Sequence, residues 1–123
     1  MMRTIGAMLA GFASWVVVAS VLNRLMRAEL DGYAAAEPVN RFTLAMLLAR
    51  LATAALAQLA AGALVARLAP ARPRAPLALG LVLVVLFVPV HIHLWAHFPL
   101  WYHAAFLLTL APLVALGGRL ARA

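Results

Sequence analysis

The chain has 123 residues, enough for one domain, and 67% of them are hydrophobic while only 11% are charged. Soluble domains are about half apolar and a quarter charged, so this composition excludes a water-soluble globular protein. The formal charge of +7 comes from ten arginines against three acids. They flank apolar runs rather than clustering on one solvent-facing patch, which excludes nucleic acid as a partner and implies lipid headgroups instead.

Four apolar runs, each long enough for a hydrocarbon core that takes roughly 20 helical residues, predict an all-α, integral membrane four-helix bundle. No period-two alternation argues for a β-barrel. The first run, about residues 4–22, follows Met1-Met2-Arg3 and has the start of a signal peptide. It outlasts the usual h-region, and no clean small-x-small site is followed by a mature soluble domain, so it is read as an uncleaved helix. Gly6, Ala10, Ala13 and Ser14 give it a strip of small residues for close packing. Residues 23–41 form the one substantial loop. Its beginning can extend the first helix, and Glu37-Pro38 ends that extension because the residue before proline is pushed out of helical geometry.

The second run, about 42–66, is rich in alanine (Ala45, Ala49, Ala52, Ala57, Ala60, Ala61, then Gly62), again a packing pattern. A connector at 69–76 carries Pro70, Pro73 and Pro76, which block helix continuation, together with Arg72 and Arg74. The third run spans about 76–94. The fourth, about 100–116, is the shortest, and Gly117-Gly118 reads as its C-terminal stop. With the N-terminus inside, Arg3, Arg67, Arg72, Arg74, Arg119 and Arg122 lie on the inner side. Arg24, Arg27 and Arg41, offset by all three acids, lie outside. This asymmetry predicts that both termini are cytoplasmic.

Two features carry chemistry. Arg50 lies eight residues into the second run, about 12 Å below the outer interface. A guanidinium there costs at least about 2.5–3.5 kcal/mol, so it should face the bundle interior with a partner or snorkel to the headgroups. Thr53, Ala54, Ala57 and Ala61 follow it on one helical face. The second feature is residues 91–103, which hold all four histidines: His91, His93, His97 and His103.

Spacing limits what the histidines can do. On a helix His93 and His97 share a face while His91 and His93 do not. A metal site using His91, His93, His97 and His103 therefore needs a helix break, which Pro89 and Pro99 favour. Glu29, Asp31 or Glu37 would complete a shell suited to Zn, Cu or Fe. Haem held by His91 and His103 is disfavoured, since both lie beside one short turn that leaves little room for a macrocycle. Depth brings Arg50, His91 and His103 together as a candidate polar pocket, with neutral histidine nitrogens accepting from the guanidinium. The alternative is structural: Trp95, Phe98, Trp101 and Tyr102 resemble an aromatic interfacial belt.

The early Gly6, Gly11 and Trp15, the stretch Met46-Leu-Leu-Ala-Arg50-Leu-Ala, and Phe98-Pro-Leu-Trp-Tyr-His103 resemble a class of small, alanine- and arginine-rich bacterial inner-membrane proteins. That resemblance implies four helices and carries no activity with it. Small multidrug transporters use a glutamate inside the first helix, and fluoride channels a Gly-Gly-x-x-Gly-Ala opening; neither is present here. No nucleophile constellation or phosphate loop is visible. The leading expectation is a non-enzymatic accessory or assembly component in the lipid bilayer, as a homo-oligomer or part of a larger membrane complex. The alternatives are a metal-binding or proton-linked transport protein using the histidines, and a small membrane enzyme or haem-binding protein.

Overall fold

The computed structural model describes residues 2–123, and among these the chain is all helical. Four long helices are α1 (Met2–Glu29), α3 (Leu44–Leu68), α4 (Ala75–His93) and α5 (Leu100–Arg122), each long and apolar enough to cross a membrane. A short α2 (Tyr33–Ala36) and a 3-10 turn (Glu37–Val39) fill the loop after α1, and a second 3-10 turn (Trp95–His97) separates α4 from α5. α3 packs against both α1 and α5, and α5 packs against α4. The contact between α1 and α4 is the loosest of the ring.

The chain ends and the proline-rich connector share one end of the bundle. There Arg3 Nε donates to the Leu68 carbonyl at 3.0 Å, and Arg122 Nη2 to the Arg72 carbonyl at 3.3 Å. The α2 loop and the histidine segment form the other end. The outward surface is apolar, with Leu9, Val17, Leu56, Val85, Ile92 and Leu108 all more than half exposed. In water that surface would be untenable; in a bilayer it is ordinary.

Small residues set the packing, because lipid supplies no hydrophobic force to drive helices together. A Cβ on Gly62 would run into the Val114 carbonyl of α5, and one on Gly117 into the Leu59 carbonyl of α3, so these two backbones touch directly. This overturns the reading of Gly117-Gly118 as a stop. Both glycines sit inside α5, which runs on to Arg122, because the missing side chains admit α3 and Pro76 rather than ending the helix. α5 is accordingly not the shortest span; α4, with 19 residues, is.

The small strip on α1 also differs from expectation. Gly6 and Ala13 are exposed, while Ala7 and Gly11 are buried against α3 and α4. The helix is rotated so that Gly11, whose Cβ would strike Val65 and Leu79, makes the approach. Pro89 does not break α4. Membrane helices tolerate the lost hydrogen bond when neighbours and local adjustment compensate; the break falls at residues 94–99, where Pro99 precedes α5.

Candidate functional site

The site is built at the histidine end by segments that return onto the helix ends. After α1, Gly32 adopts φ +81°, a left-handed conformation that costs glycine little, and turns the chain into α2. Asn40, also left-handed at φ 53°, redirects it again after the 3-10 turn, and Thr43 caps α3 by accepting from Met46 N at 3.2 Å. These turns fold Tyr33 back into the bundle, where it is fully buried with Met26 and Met46.

Arg50 is held there by two phenols. Its Nη1 donates to the Tyr33 hydroxyl at 2.8 Å and its Nε to the Tyr102 hydroxyl at 3.1 Å. The guanidinium carbon lies 4.6 Å from the Phe42 ring centre and 5.7 Å from that of Phe98, a cation–π arrangement. The Tyr33 hydroxyl donates onward to Asn23 Oδ1 at 3.0 Å, and Asn23 Nδ2 donates to Glu37 Oε2 at 2.9 Å. Burial pushes the Tyr33 phenol above its ordinary value, and the Arg50 cation draws it back in part.

Glu37 is committed elsewhere: its other oxygen pairs with Arg27 at 3.2 Å, the only ion pair among the described residues. Arg50 therefore keeps its positive charge with no direct ion pair among the described residues; Glu37, on the same cavity wall, reaches it only through Asn23 and Tyr33. Phenol hydroxyls and aromatic faces solvate that charge without neutralising it. Neither expected histidine acceptor bonds the guanidinium; His91 and His103 bond each other through one ring nitrogen each. Their Nδ1 atoms lie 2.7 Å apart.

The partner of His103 fixes the direction of that bond. A carbonyl oxygen only accepts, so the 3.2 Å contact to the Trp95 carbonyl places the hydrogen on His103 Nε2. In the neutral ring its Nδ1 is then a lone pair, and His91 Nδ1–H donates to it. His91 Nε2 is left as a bare acceptor.

A cavity of about 310 Å³ lies between the four long helices at this end. Asn23, Glu37, Arg50, His91 and Tyr102 line its upper part, and Trp15, Ala54, Phe87 and Phe106 its lower part. The floor is aromatic: Trp15 meets Phe87 at 4.9 Å, and Phe87 meets Phe106 at 5.2 Å. Arg50 and His91 thus border one space, with His103 bonded behind His91.

His93 and His97 lie apart from this space. Both are exposed, one at the end of α4 and the other in the 3-10 turn, so no continuous helix stacks them. No group of three or more histidine or acidic side chains among the described residues is disposed to hold a metal. The aromatic residues of the segment divide. Trp95 and Trp101 face outward, while Phe98 and Tyr102 are buried. Trp95 also stacks on His103, with ring centres 4.6 Å apart.

Sequence reasoning missed Tyr33 and Asn23, which gave no signal beyond being polar loop residues. It took Tyr102 for an interfacial aromatic. It also passed over Gln58, which is 1% exposed on α3 with neither amide atom hydrogen-bonded among the described residues, and the Trp15 N–H, likewise unpaired among them. Comparison with known protein families, curated proteins and solved structures gives no match for this chain.

Proposed function

We propose that the protein is a non-enzymatic, multi-pass component of the bacterial inner membrane that binds a small anion in the cavity beside Arg50, with both termini in the cytoplasm. One observation carries this reading: a guanidinium inside the bundle, with no directly paired carboxylate among the described residues, on the wall of a cavity. A guanidinium without a directly paired carboxylate is costly out of water, and an anion relieves that cost while its spare N–H groups bond it. The arginine asymmetry of the two ends supports the orientation.

The test is thermal unfolding in a neutral maltoside detergent, titrating acetate or inorganic phosphate at constant ionic strength. Binding to the folded state stabilises it by about 2.7 kcal/mol at a ligand concentration 100 times Kd, so the midpoint should rise and saturate. Arg50→Gln should abolish the rise. Equal responses from the native chain and Arg50→Gln would overturn the proposal.

The histidine pair favours a proton-linked form of the same reading. His91 Nε2, a bare acceptor on the cavity wall, is placed to receive the proton of an acid whose anion goes to Arg50, so anion and proton enter together. In proteoliposomes an inward gradient of inorganic phosphate, which does not cross the bilayer unaided, should then acidify the lumen faster with the native chain than with His91→Phe. Identical rates would discard the proton link and leave anion binding standing.

A further inference from the structure

The cavity is polar above and aromatic below, and this division runs along the membrane normal. Trp15 and Asn23, both on α1, bracket it and are eight residues apart, about 12 Å along the helix axis. A simple inorganic anion needs only the upper layer, and the aromatic floor would be left empty beneath it.

The side of the cavity also differs from its walls. α3 and α5 are sealed together by glycine contacts, and α4 packs along α5. A separate apolar groove lined by Ile5, Leu9, Val82 and Leu86 runs between α1 and α4 lower down, and the two helices meet through Gly11 against Leu79 and Trp15 against Phe87. Above that point Ala19 and Asn23 of α1 and Val90 of α4 line the cavity from its two sides. Val90 is 43% exposed. The cavity therefore borders the α1–α4 seam beside Ala19 and Val90, toward the outer ends of the two helices.

Resting on the reading of Arg50 as an anion receiver, we propose that the cavity takes a single-chain anionic amphiphile from the bilayer through the α1–α4 seam. The anionic headgroup, a carboxylate or phosphate, sits at Arg50, and the first part of the chain lies on Trp15, Phe87 and Phe106. A volume of about 310 Å³ is at the small end of ligand pockets, so the rest of the chain stays in lipid. Entry from the bilayer exchanges one apolar environment for another, so the headgroup decides selectivity and the chain decides location.

Trp15 at the floor reports occupancy. Its fluorescence, isolated in a Trp95→Phe/Trp101→Phe chain in bilayers, is titrated with dibromostearate at alkaline pH, and in parallel with dibromostearate methyl ester. Should the double variant be unstable, subtracting a Trp15→Phe chain from the native one gives the same signal. The expected result is saturable quenching by the acid at about tenfold lower mole fraction than by the ester, the gap a charge-assisted bond provides. Arg50→Gln should close that gap. Equal saturable quenching by acid and ester, unchanged in Arg50→Gln, would overturn this inference, and with an Arg50-independent response to acetate it would overturn the anion reading as well. No quenching beyond that of bulk lipid, with an Arg50-dependent response to acetate retained, would overturn the amphiphile and leave anion binding intact.

Discussion

Replacing Tyr33 by phenylalanine removes one oxygen and two hydrogen bonds while keeping the ring against Phe42, 5.4 Å away. The lost bonds are the one accepted from Arg50 at 2.8 Å and the one donated to Asn23 at 3.0 Å. Replacing Tyr102 removes a single bond, accepted from Arg50 at 3.1 Å. A bond to a charged group contributes about 1.5–3 kcal/mol and a neutral one about 1. Interhelical bonds in membranes sit at the low end of such ranges. Taking about 1.5 kcal/mol for each guanidinium bond and about 1 for the neutral one, Tyr33→Phe costs about 2.5 kcal/mol and Tyr102→Phe about 1.5. Unfolding by SDS titration in mixed micelles reads both. In an Arg50→Gln background the Tyr102→Phe cost should fall below about 0.5 kcal/mol, since the two act through one bond. Losses that are equal, reversed in rank, or unchanged in that background would refute the description of Arg50 as clamped between two phenols.

Three further outcomes follow from the packing and the network. Gly62→Ala should cost about 3 kcal/mol or more, because its methyl group meets the Val114 backbone carbonyl rather than a side chain that can move. Gly6→Ala, with nothing within 4 Å among the described residues, should instead stabilise by up to about 1 kcal/mol through helix propensity, and similar values for the two would discredit the α3–α5 contact. Gln58→Leu should raise the unfolding midpoint by removing a buried amide with no partner, worth about 1–3 kcal/mol; a lowered midpoint would mean that the amide is bonded. Burial raises the Tyr33 phenol in the folded state, so its contribution to stability is full below the ordinary value of 10.0 and is lost as pH rises through the folded value. Ultraviolet titration of a Tyr102→Phe chain should show its remaining tyrosine ionising above that ordinary value, and ionisation at or below it would contradict the burial.

The four spans were legible because hydropathy over about 20 residues is a strong signal, and Arg50 stood out as the one charge inside a run. His91 and His103 were brought near each other by the short turn between the helices that carry them. The rest depended on rotation and on loop return, which composition does not encode. Phe98 and Tyr102 turn inward while Trp95 and Trp101 turn outward, although all four are aromatic and close in sequence. Tyr33 reaches Arg50 only because Gly32 and Asn40 reverse the chain on either side of α2. Gly117 and Gly118 show the same limit: a glycine pair near a helix end serves as a stop or as a contact, and only the neighbouring backbone of α3 decides.

The central claim is that Arg50, alone among the ten arginines, receives an anion inside the bundle. The side-chain Nε–H resonance of Arg50, which donates to Tyr102, reads this directly in a ¹H–¹⁵N spectrum of the protein in neutral micelles. During an acetate titration at constant ionic strength, that single resonance should shift and saturate while the other arginine signals stay in place. An Arg50 signal that does not move, or that moves in step with all the others, would contradict the account.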